Sequence, residues 1–116
     1  MWIMIAGPYR SGASSEAARE RNLALLNRAA YEVFQKGHVP ILGANLALPV
    51  IAAAGQDSYD EIMTTVSLAL AARCDAVLRL EGVSAGADAQ VERIRAIGGT
   101  VFRRLDDIPR ADATYG

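Results

Sequence analysis

Short apolar runs alternate along this chain with longer segments that have helical periodicity. One run, residues 2–6, stops at Gly7-Pro8, and another, residues 76–80, leads into a small-residue turn that contains Ser84 and Gly86. Each run is typical of a strand that passes through a tight loop into a helix. Because strands alternate with helices, the pattern predicts right-handed crossovers and a parallel sheet with helices on both faces.

The expected elements follow this alternation. We expect strands at residues 2–6, 39–42, 75–80 and 100–102, and helices at 16–36, 59–72 and 87–97. Ser14 or Ser15 is positioned to cap the first helix and Ser58 the second. Together the expected strands and helices predict an α/β fold, a small Rossmann-like, doubly wound sheet of about four mainly parallel strands with flanking helices.

Two prolines modify this pattern. Pro40 cannot donate a hydrogen bond to a neighbouring strand, so we expect its strand to lie at an edge of the sheet or to begin there. The stretch 45–52 reads as a loop followed by a short helical turn, because proline is favoured in the first turn of a helix, where Pro49 would then lie.

Size and charge limit the classes of function. At 116 residues the chain has room for one domain, placed at residues 1–109, with a flexible tail at 110–116. The net charge is −1, without the basic excess typical of domains that bind nucleic acid. The apolar fraction of 52% favours buried parallel strands or a subunit interface.

The sequence also bears on membrane association and on the redox environment of the protein. No apolar run reaches the roughly 18 residues of a spanning helix, and residues 1–4 lack the basic start of a signal peptide. From both observations we expect no membrane partner. The single cysteine, Cys74, cannot form an internal disulfide, which fits a reducing cytoplasm, so we expect a cytoplasmic protein. The thiol itself should be buried and inert. One histidine, His38, far from that cysteine, makes no metal constellation, and no cofactor is expected.

The candidate site lies where the carboxyl ends of the strands meet. In a parallel sheet this edge builds the ligand crevice, so the loops at 7–12, 43–45 and 81–86 should surround it. The first loop offers Gly7, Pro8, Tyr9 and Arg10, which combine backbone freedom, an aromatic ring and a cation. It suits an anion at a helix start, or it is simply a connecting turn.

The third loop offers a similar pocket. Ser84 supplies a hydroxyl and Gly86 lets the backbone approach a ligand, although a serine in this place is equally the cap of the following helix. Neither loop has the Gly-Lys-Ser/Thr ending of a P-loop or the Gly-x-Gly-x-x-Gly pattern of a dinucleotide site.

In their order and spacing these segments resemble the nucleoside 2-deoxyribosyltransferase superfamily, over residues 2–104. The relatives include deoxynucleoside-monophosphate N-glycosidases and a small bacterial and phage domain family of unknown function. The matching marks are the strand end Ile5-Ala6-Gly7-Pro8-Tyr9, the stretch Ala72-Arg73-Cys74-Asp75-Ala76-Val77, Ser84-x-Gly86-Ala87, and Gly98-x-Thr100-Val101.

The resemblance implies cleavage of an N-glycosidic bond by a glutamate that attacks the anomeric carbon. It places Gly7, Tyr9 and Arg10 along a nucleoside or nucleotide, with Ser84 and Gly86 at its phosphate or sugar. Members of the superfamily commonly complete their pockets from a neighbouring subunit, so the resemblance also implies a homo-oligomer, a dimer or higher.

The chain departs from that family at the catalytic positions. The nucleophile position holds Gln90, and a neutral amide is a very poor nucleophile at an anomeric carbon. A second acidic position holds Ser67. Asp88 and Glu92 are the nearest carboxylates and the fallback candidates for the nucleophile. On a regular helix each lies about 200° around the axis from Gln90, so one of them would need a slipped register or an irregular first turn to take its place.

Three hypotheses therefore stand. The chain is an N-glycosidase or deoxyribosyltransferase with an altered nucleophile, a non-catalytic nucleotide-binding module, or an oligomeric scaffold that self-associates through the apolar stretch 45–54.

Overall fold

The computed structural model describes residues 1–111 as one α/β layer structure. Its elements, in chain order, are β1 (Trp2–Ala6), α1 (Glu16–Gln35), β2 (Val39–Ile41), α2 (Gly43–Ala54), α3 (Tyr59–Ala71), β3 (Ala76–Arg79), α4 (Ala85–Ala96) and β4 (Thr100–Phe102). Short 3₁₀ turns lie at Gln56–Ser58 and Leu105–Asp107. Within residues 1–111, no helix has the length and apolar character needed to cross a membrane.

The four strands form one parallel sheet in the order β2-β1-β3-β4. In this register Ile3 of β1 lies opposite Pro40 on one side and opposite Ala76 on the other. The predicted fold class is therefore confirmed. Pro40 lies on an edge strand, as expected, because an edge is where a missing N–H does least harm.

Side chains of β1 alternate between two hydrophobic layers. Ile3 and Ile5 face the layer built with Leu26 and Val33 of α1, whereas Met4 and Ala6 face the layer built with α4. A strand buried on both faces needs this continuous apolar sequence. It explains why residues 3–6 contain no polar side chain.

Helix α1 begins and ends where its sequence predicts. The Ser15 hydroxyl accepts a hydrogen bond from the Ala18 N–H at 3.1 Å, so Ser15 rather than Ser14 is the N-cap. Gly37 follows the C-cap with a φ of 90°, a left-handed conformation that glycine adopts without strain.

The prediction for residues 45–52 was wrong, because the whole of Gly43–Ala54 is helical and Pro49 lies inside it. Gly43, Ala44, Ala47 and Ile51 are buried at helical spacing. Their burial along one side of the helix outweighs the cost of the interior proline, which tertiary packing often does to local propensity.

Two helix starts also differ from prediction. Ser58 precedes α3, but its side chain makes no capping bond, since it belongs to the 3₁₀ turn that runs directly into the helix. Helix α4 begins at Ala85, two residues earlier than expected, and Ser84 is its N-cap.

Polar contacts fasten the end of the sheet opposite the candidate crevice. The Asp75 carboxylate accepts the Trp2 N–H at 2.7 Å, just before β3 begins at Ala76. His38 Nε2 lies 2.6 Å from the carbonyl of Pro109. The Ala111 N–H donates to the carbonyl of Lys36 at 2.8 Å, and the remaining part of the predicted tail, 112–116, lies outside the described residues.

Cys74 is buried near the same end of the sheet. Burial raises the pKa of its thiol to about 11, and the neighbouring Asp75 carboxylate acts in the same direction. Because the thiolate is the reactive form of cysteine, the raised pKa agrees with the expected inert thiol.

Ile3→Ala tests the importance of the central strand. The Ile3 side chain is 0% exposed, and we expect its truncation to lower the free energy of unfolding by about 2–5 kcal/mol through lost burial and a residual cavity. Ile97→Ala is the matched control, because the Ile97 side chain is 50% exposed and should cost much less. Urea unfolding of both variants measures the difference, and equal losses would contradict the two-layer core.

Candidate functional site

A cavity of about 320 Å³ opens at the carboxyl ends of β1 and β3. Its wall combines the loop after β1 with the first turns of α2, α3 and α4. The predicted crevice loops thus contribute to one cavity. Its volume lies at the lower end of the roughly 300–1,000 Å³ typical of small-molecule sites.

The loop after β1 supplies Gly7, Tyr9, Arg10 and Ser11 to the cavity wall. A side chain at position 7 would be crowded, because a Cβ there would lie 3.0 Å from Leu26 Cδ2 and 3.1 Å from Leu80 Cβ. The close approach of the loop to the core therefore favours glycine at position 7.

Arg10 is held over the cavity by α3. Its guanidinium lies 4.0 Å from the centre of the Tyr59 ring, a cation–π geometry, and 4.0 Å from an oxygen of the Asp60 carboxylate. Asp60 is almost fully exposed, so this ion pair is weakly bound and an incoming anion can replace it.

The Tyr59 hydroxyl remains a hydrogen-bond donor at neutral pH. Burial raises the pKa of this phenol above its usual 10, and the Arg10 cation opposes the rise only in part. Tyr59 therefore stacks beneath Arg10 in its neutral form.

Helix α4 begins on the cavity wall opposite Arg10 and Tyr59. Ser84 is buried, and its Oγ accepts the Ala87 N–H at 3.1 Å, so the capping role considered from the sequence is present. The hydroxyl proton can still be donated. The first N–H groups of any helix lack acceptors within the helix, and those of Ala85 and Gly86 belong to this first turn.

Gln90 lines the same cavity one turn further along α4. It is half-buried and lies four residues after Gly86 on the helix, so the two residues share the helix face that lines the cavity. The position that the resemblance assigns to the nucleophile therefore faces the same space as Arg10 and Gly86.

The two nearby carboxylates lie outside the cavity. Asp88 Oδ1 lies 3.0 Å from Nη2 of the buried Arg79, and Glu92 forms an exposed ion pair with Arg95. Both carboxylates are therefore occupied by arginine partners on other sides of α4.

Pro8 is likewise outside the cavity but touches the neighbouring loop. Gly82 has a φ of 117°, and a Cβ on it would lie 2.6 Å from Pro8 Cγ. Pro8 and Gly82 thus form the contact between the loop after β1 and the loop after β3.

Apart from Ser67, which the resemblance places at a second acidic position, the contribution of α3 to the site was not predicted from the sequence. The residues of α3 that line the cavity are Tyr59, Asp60, Met63, Thr64 and Ser67. They recur at intervals of three and four residues, a spacing that indicates one helix face. That spacing does not show whether the face is turned toward the predicted loops or toward solvent, so the other four residues were missed.

Ser67 is the buried end of that face. Its Oγ contacts Met63 Sδ at 3.7 Å, and a Cβ on Gly43 would lie only 2.4 Å from it. The start of α2 therefore approaches α3 so closely that residues 43 and 67 must both be small.

The Gly43–Ser67 contact can be measured by a double-mutant cycle. We expect Gly43→Ala to lower the free energy of unfolding by about 1–3 kcal/mol, the usual cost of overpacking. Ser67→Ala removes the nearest atom, so the double variant should lose less than the sum of the two single losses. Additive losses in urea unfolding would contradict the close approach.

Comparison of the chain with protein-family models, with curated proteins and with solved structures found no match in any of the three. What bears on function is therefore the cavity itself. The Arg10 cation and the N-terminus of α4 lie on facing walls, and α3 contributes hydroxyl and apolar side chains together with the exposed Asp60 carboxylate. Such a cavity is suited to a ligand with an anionic end and an uncharged ring.

Proposed function

We propose that this chain binds a nucleoside 5′-monophosphate in the cavity without cleaving it. The observation that carries the proposal is that Arg10, the start of α4 at Ser84–Gly86 and Gln90 line one cavity. The first two features favour a phosphate. Gln90 occupies the position where the resemblance to the nucleoside 2-deoxyribosyltransferase superfamily requires a glutamate.

The phosphate end of the proposed ligand lies at the start of α4. A helix N-terminus presents unpaired N–H groups and a partial positive charge to an anion. Arg10 adds a full charge on the facing loop, where its present partner is the exposed Asp60 carboxylate. A phosphate competes well for such a cation, because it carries more charge and accepts two parallel hydrogen bonds.

The nucleoside end lies against α3. Met63 and Leu42 supply apolar surface, and Thr64 and Ser67 supply hydroxyl groups that donate or accept hydrogen bonds. An uncharged heterocycle fits such a wall, because apolar surface with a few polar groups is the usual environment of a bound ring.

The absence of cleavage follows from two neutral side chains. A carboxylate attacks the anomeric carbon with an electron pair that the Gln90 amide does not offer. At the second acidic position of the family stands Ser67, close against Gly43. With neither carboxylate in place, the proposed ligand is bound intact.

Ligand-induced stabilisation tests the proposed binding. We expect a panel of deoxynucleoside and ribonucleoside 5′-monophosphates to raise Tm, and the corresponding nucleosides to raise it less, because a ligand that binds only the folded state stabilises it. Arg10→Gln should weaken monophosphate binding about tenfold, a loss of about 1.4 kcal/mol. Arg104→Gln, which removes an exposed arginine elsewhere, is the control.

Chromatography of the same mixtures tests the absence of cleavage. The unmodified chain should release no free base, whereas base release only by Gln90→Glu would show a pocket that lacks just its nucleophile. Base release by the unmodified chain would contradict the non-catalytic proposal. The lack of any thermal shift with every nucleotide would contradict the binding proposal.

We also propose that a second copy of the chain packs on α2. This helix has no charged residue in its 12 positions, and its outer side exposes Leu46 and Val50. An uncharged outer face is typical of a subunit interface. Since Gly43 and Ala44 line the cavity, such a contact would lie beside the proposed ligand.

Leu46→Glu tests this self-association. We expect the unmodified chain to sediment as a dimer or larger, and Leu46→Glu to sediment as a monomer, because a buried unpaired carboxylate is costly. Leu25→Glu on α1 is the matched control, since Leu25 is 65% exposed and Leu46 55%. A monomeric unmodified chain would contradict the proposal.

A further inference from the structure

Arg79 is an unusual residue for its place in the fold. It is the last residue of β3 and is only 7% exposed, although arginine side chains seldom lie so deep unless they are paired. Its neighbours Leu78 and Leu80 are apolar and belong to the core region. A buried guanidinium here must therefore be explained by its partners.

Those partners all belong to the segment that leads into and begins α4. Nη1 donates to the carbonyl of Leu80, and Nη2 donates to the carbonyl of Gly82 at 2.9 Å. Nε and Nη2 both donate to Asp88 Oδ1, at 3.3 and 3.0 Å. One planar cation thus joins the loop after β3 to the first turn of α4.

The hydrogen bond from Arg79 to Gly82 also connects Arg79 to the loop after β1, through the contact of Gly82 with Pro8. Gly82 packs so closely on Pro8 that a Cβ at position 82 would lie 2.6 Å from Pro8 Cγ. Pro8 is followed directly by Tyr9 and Arg10, which line the cavity. The place of the Gly82 carbonyl therefore influences how far Arg10 lies from the start of α4.

We infer that Arg79 is a positioning residue for anion binding, an inference that rests on the proposed function. Its guanidinium holds the loop after β3 so that the first N–H groups of α4 and the Arg10 cation face the same anion. Arg79 itself lies outside the cavity wall, so its effect on a ligand passes through Gly82 and Asp88.

Geometry rather than charge is the basis of this role. A lysine at position 79 keeps the positive charge but loses the planar fork that reaches two carbonyls and a carboxylate together. Arg79→Lys therefore separates a charge effect from a positioning effect. Asp88→Asn is the second variant, because a neutral amide oxygen accepts weaker hydrogen bonds from Nε and Nη2 than the carboxylate does, so the loop is held less firmly while Arg79 itself is unchanged.

The decisive measurement is the ratio of two dissociation constants, those of a nucleoside 5′-monophosphate and of the same nucleoside. We expect Arg79→Lys to weaken monophosphate binding at least tenfold and nucleoside binding less than twofold. Arg28→Gln, which removes one member of an exposed ion pair on α1, should change neither constant. A purely structural role would lower Tm and leave the ratio unchanged.

Amide hydrogen exchange supplies a readout that needs no ligand. In Arg79→Lys and Asp88→Asn we expect faster exchange at residues 80–87 and also at 9–11, since the Gly82–Pro8 contact links the two loops. Exchange that changes at 80–87 alone would overturn the link between the loops.

The outcomes separate the two proposals. If the unmodified chain binds no nucleotide, the proposed function fails, and hydrogen exchange still decides whether Arg79 positions both loops. If the unmodified chain binds nucleotides and Arg79→Lys keeps the same ratio of constants, the inference about Arg79 fails while the proposed function stands. Should Arg79→Lys not fold, the same ratio of dissociation constants is measured on Asp88→Asn. An unchanged ratio in that variant would overturn the positioning role of Arg79.

Discussion

The double burial of β1 is the constraint on which the rest of the molecule depends. Residues 3–6 have side chains in both hydrophobic layers, so helices must cover both faces of the sheet. The parallel pairing of β1 with β3 continues to the carboxyl ends of both strands, where the Leu80 N–H donates to the Ala6 carbonyl at 2.8 Å. The two loops that follow therefore begin side by side, and a cavity between them follows from the topology.

Features with a local cause were predictable from the sequence. The strands β1 and β4 and the helix α1 agree with prediction because apolar runs, a serine cap and the glycine at position 37 all indicate the same boundaries. The meeting of Gly7, Arg10 and Ser84 at one cavity was also predictable, since parallel strands place their carboxyl ends at one edge. Gln90 was expected at the site only through the resemblance.

Features that depend on tertiary contacts were not predictable. Pro49 suggested a helix start, whereas the burial of Ala47 and Ile51 extends the helix on both sides of it. Arg79 and Asp88 are nine residues apart, and only the turn between β3 and α4 brings the guanidinium to the carboxylate. The α3 wall was missed because nothing in residues 59–67 alone indicates that this face is turned toward the loops rather than toward solvent.

Electrostatics bears on the proposed combination of phosphate binding without catalysis. A glycosidase of the family that the chain resembles must hold an anionic phosphate close to a nucleophilic carboxylate, and like charges in a partly buried site repel. The resemblance places the neutral Gln90 and Ser67 at the two acidic positions, so this repulsion would be absent from the cavity that Arg10 and the start of α4 line. Among the described residues, Asp60 is the one carboxylate that lines the cavity, and it is exposed and lies beside Arg10, where solvent screens its charge. Neutral side chains at positions 67 and 90 therefore favour an intact anionic ligand, in agreement with the proposed function.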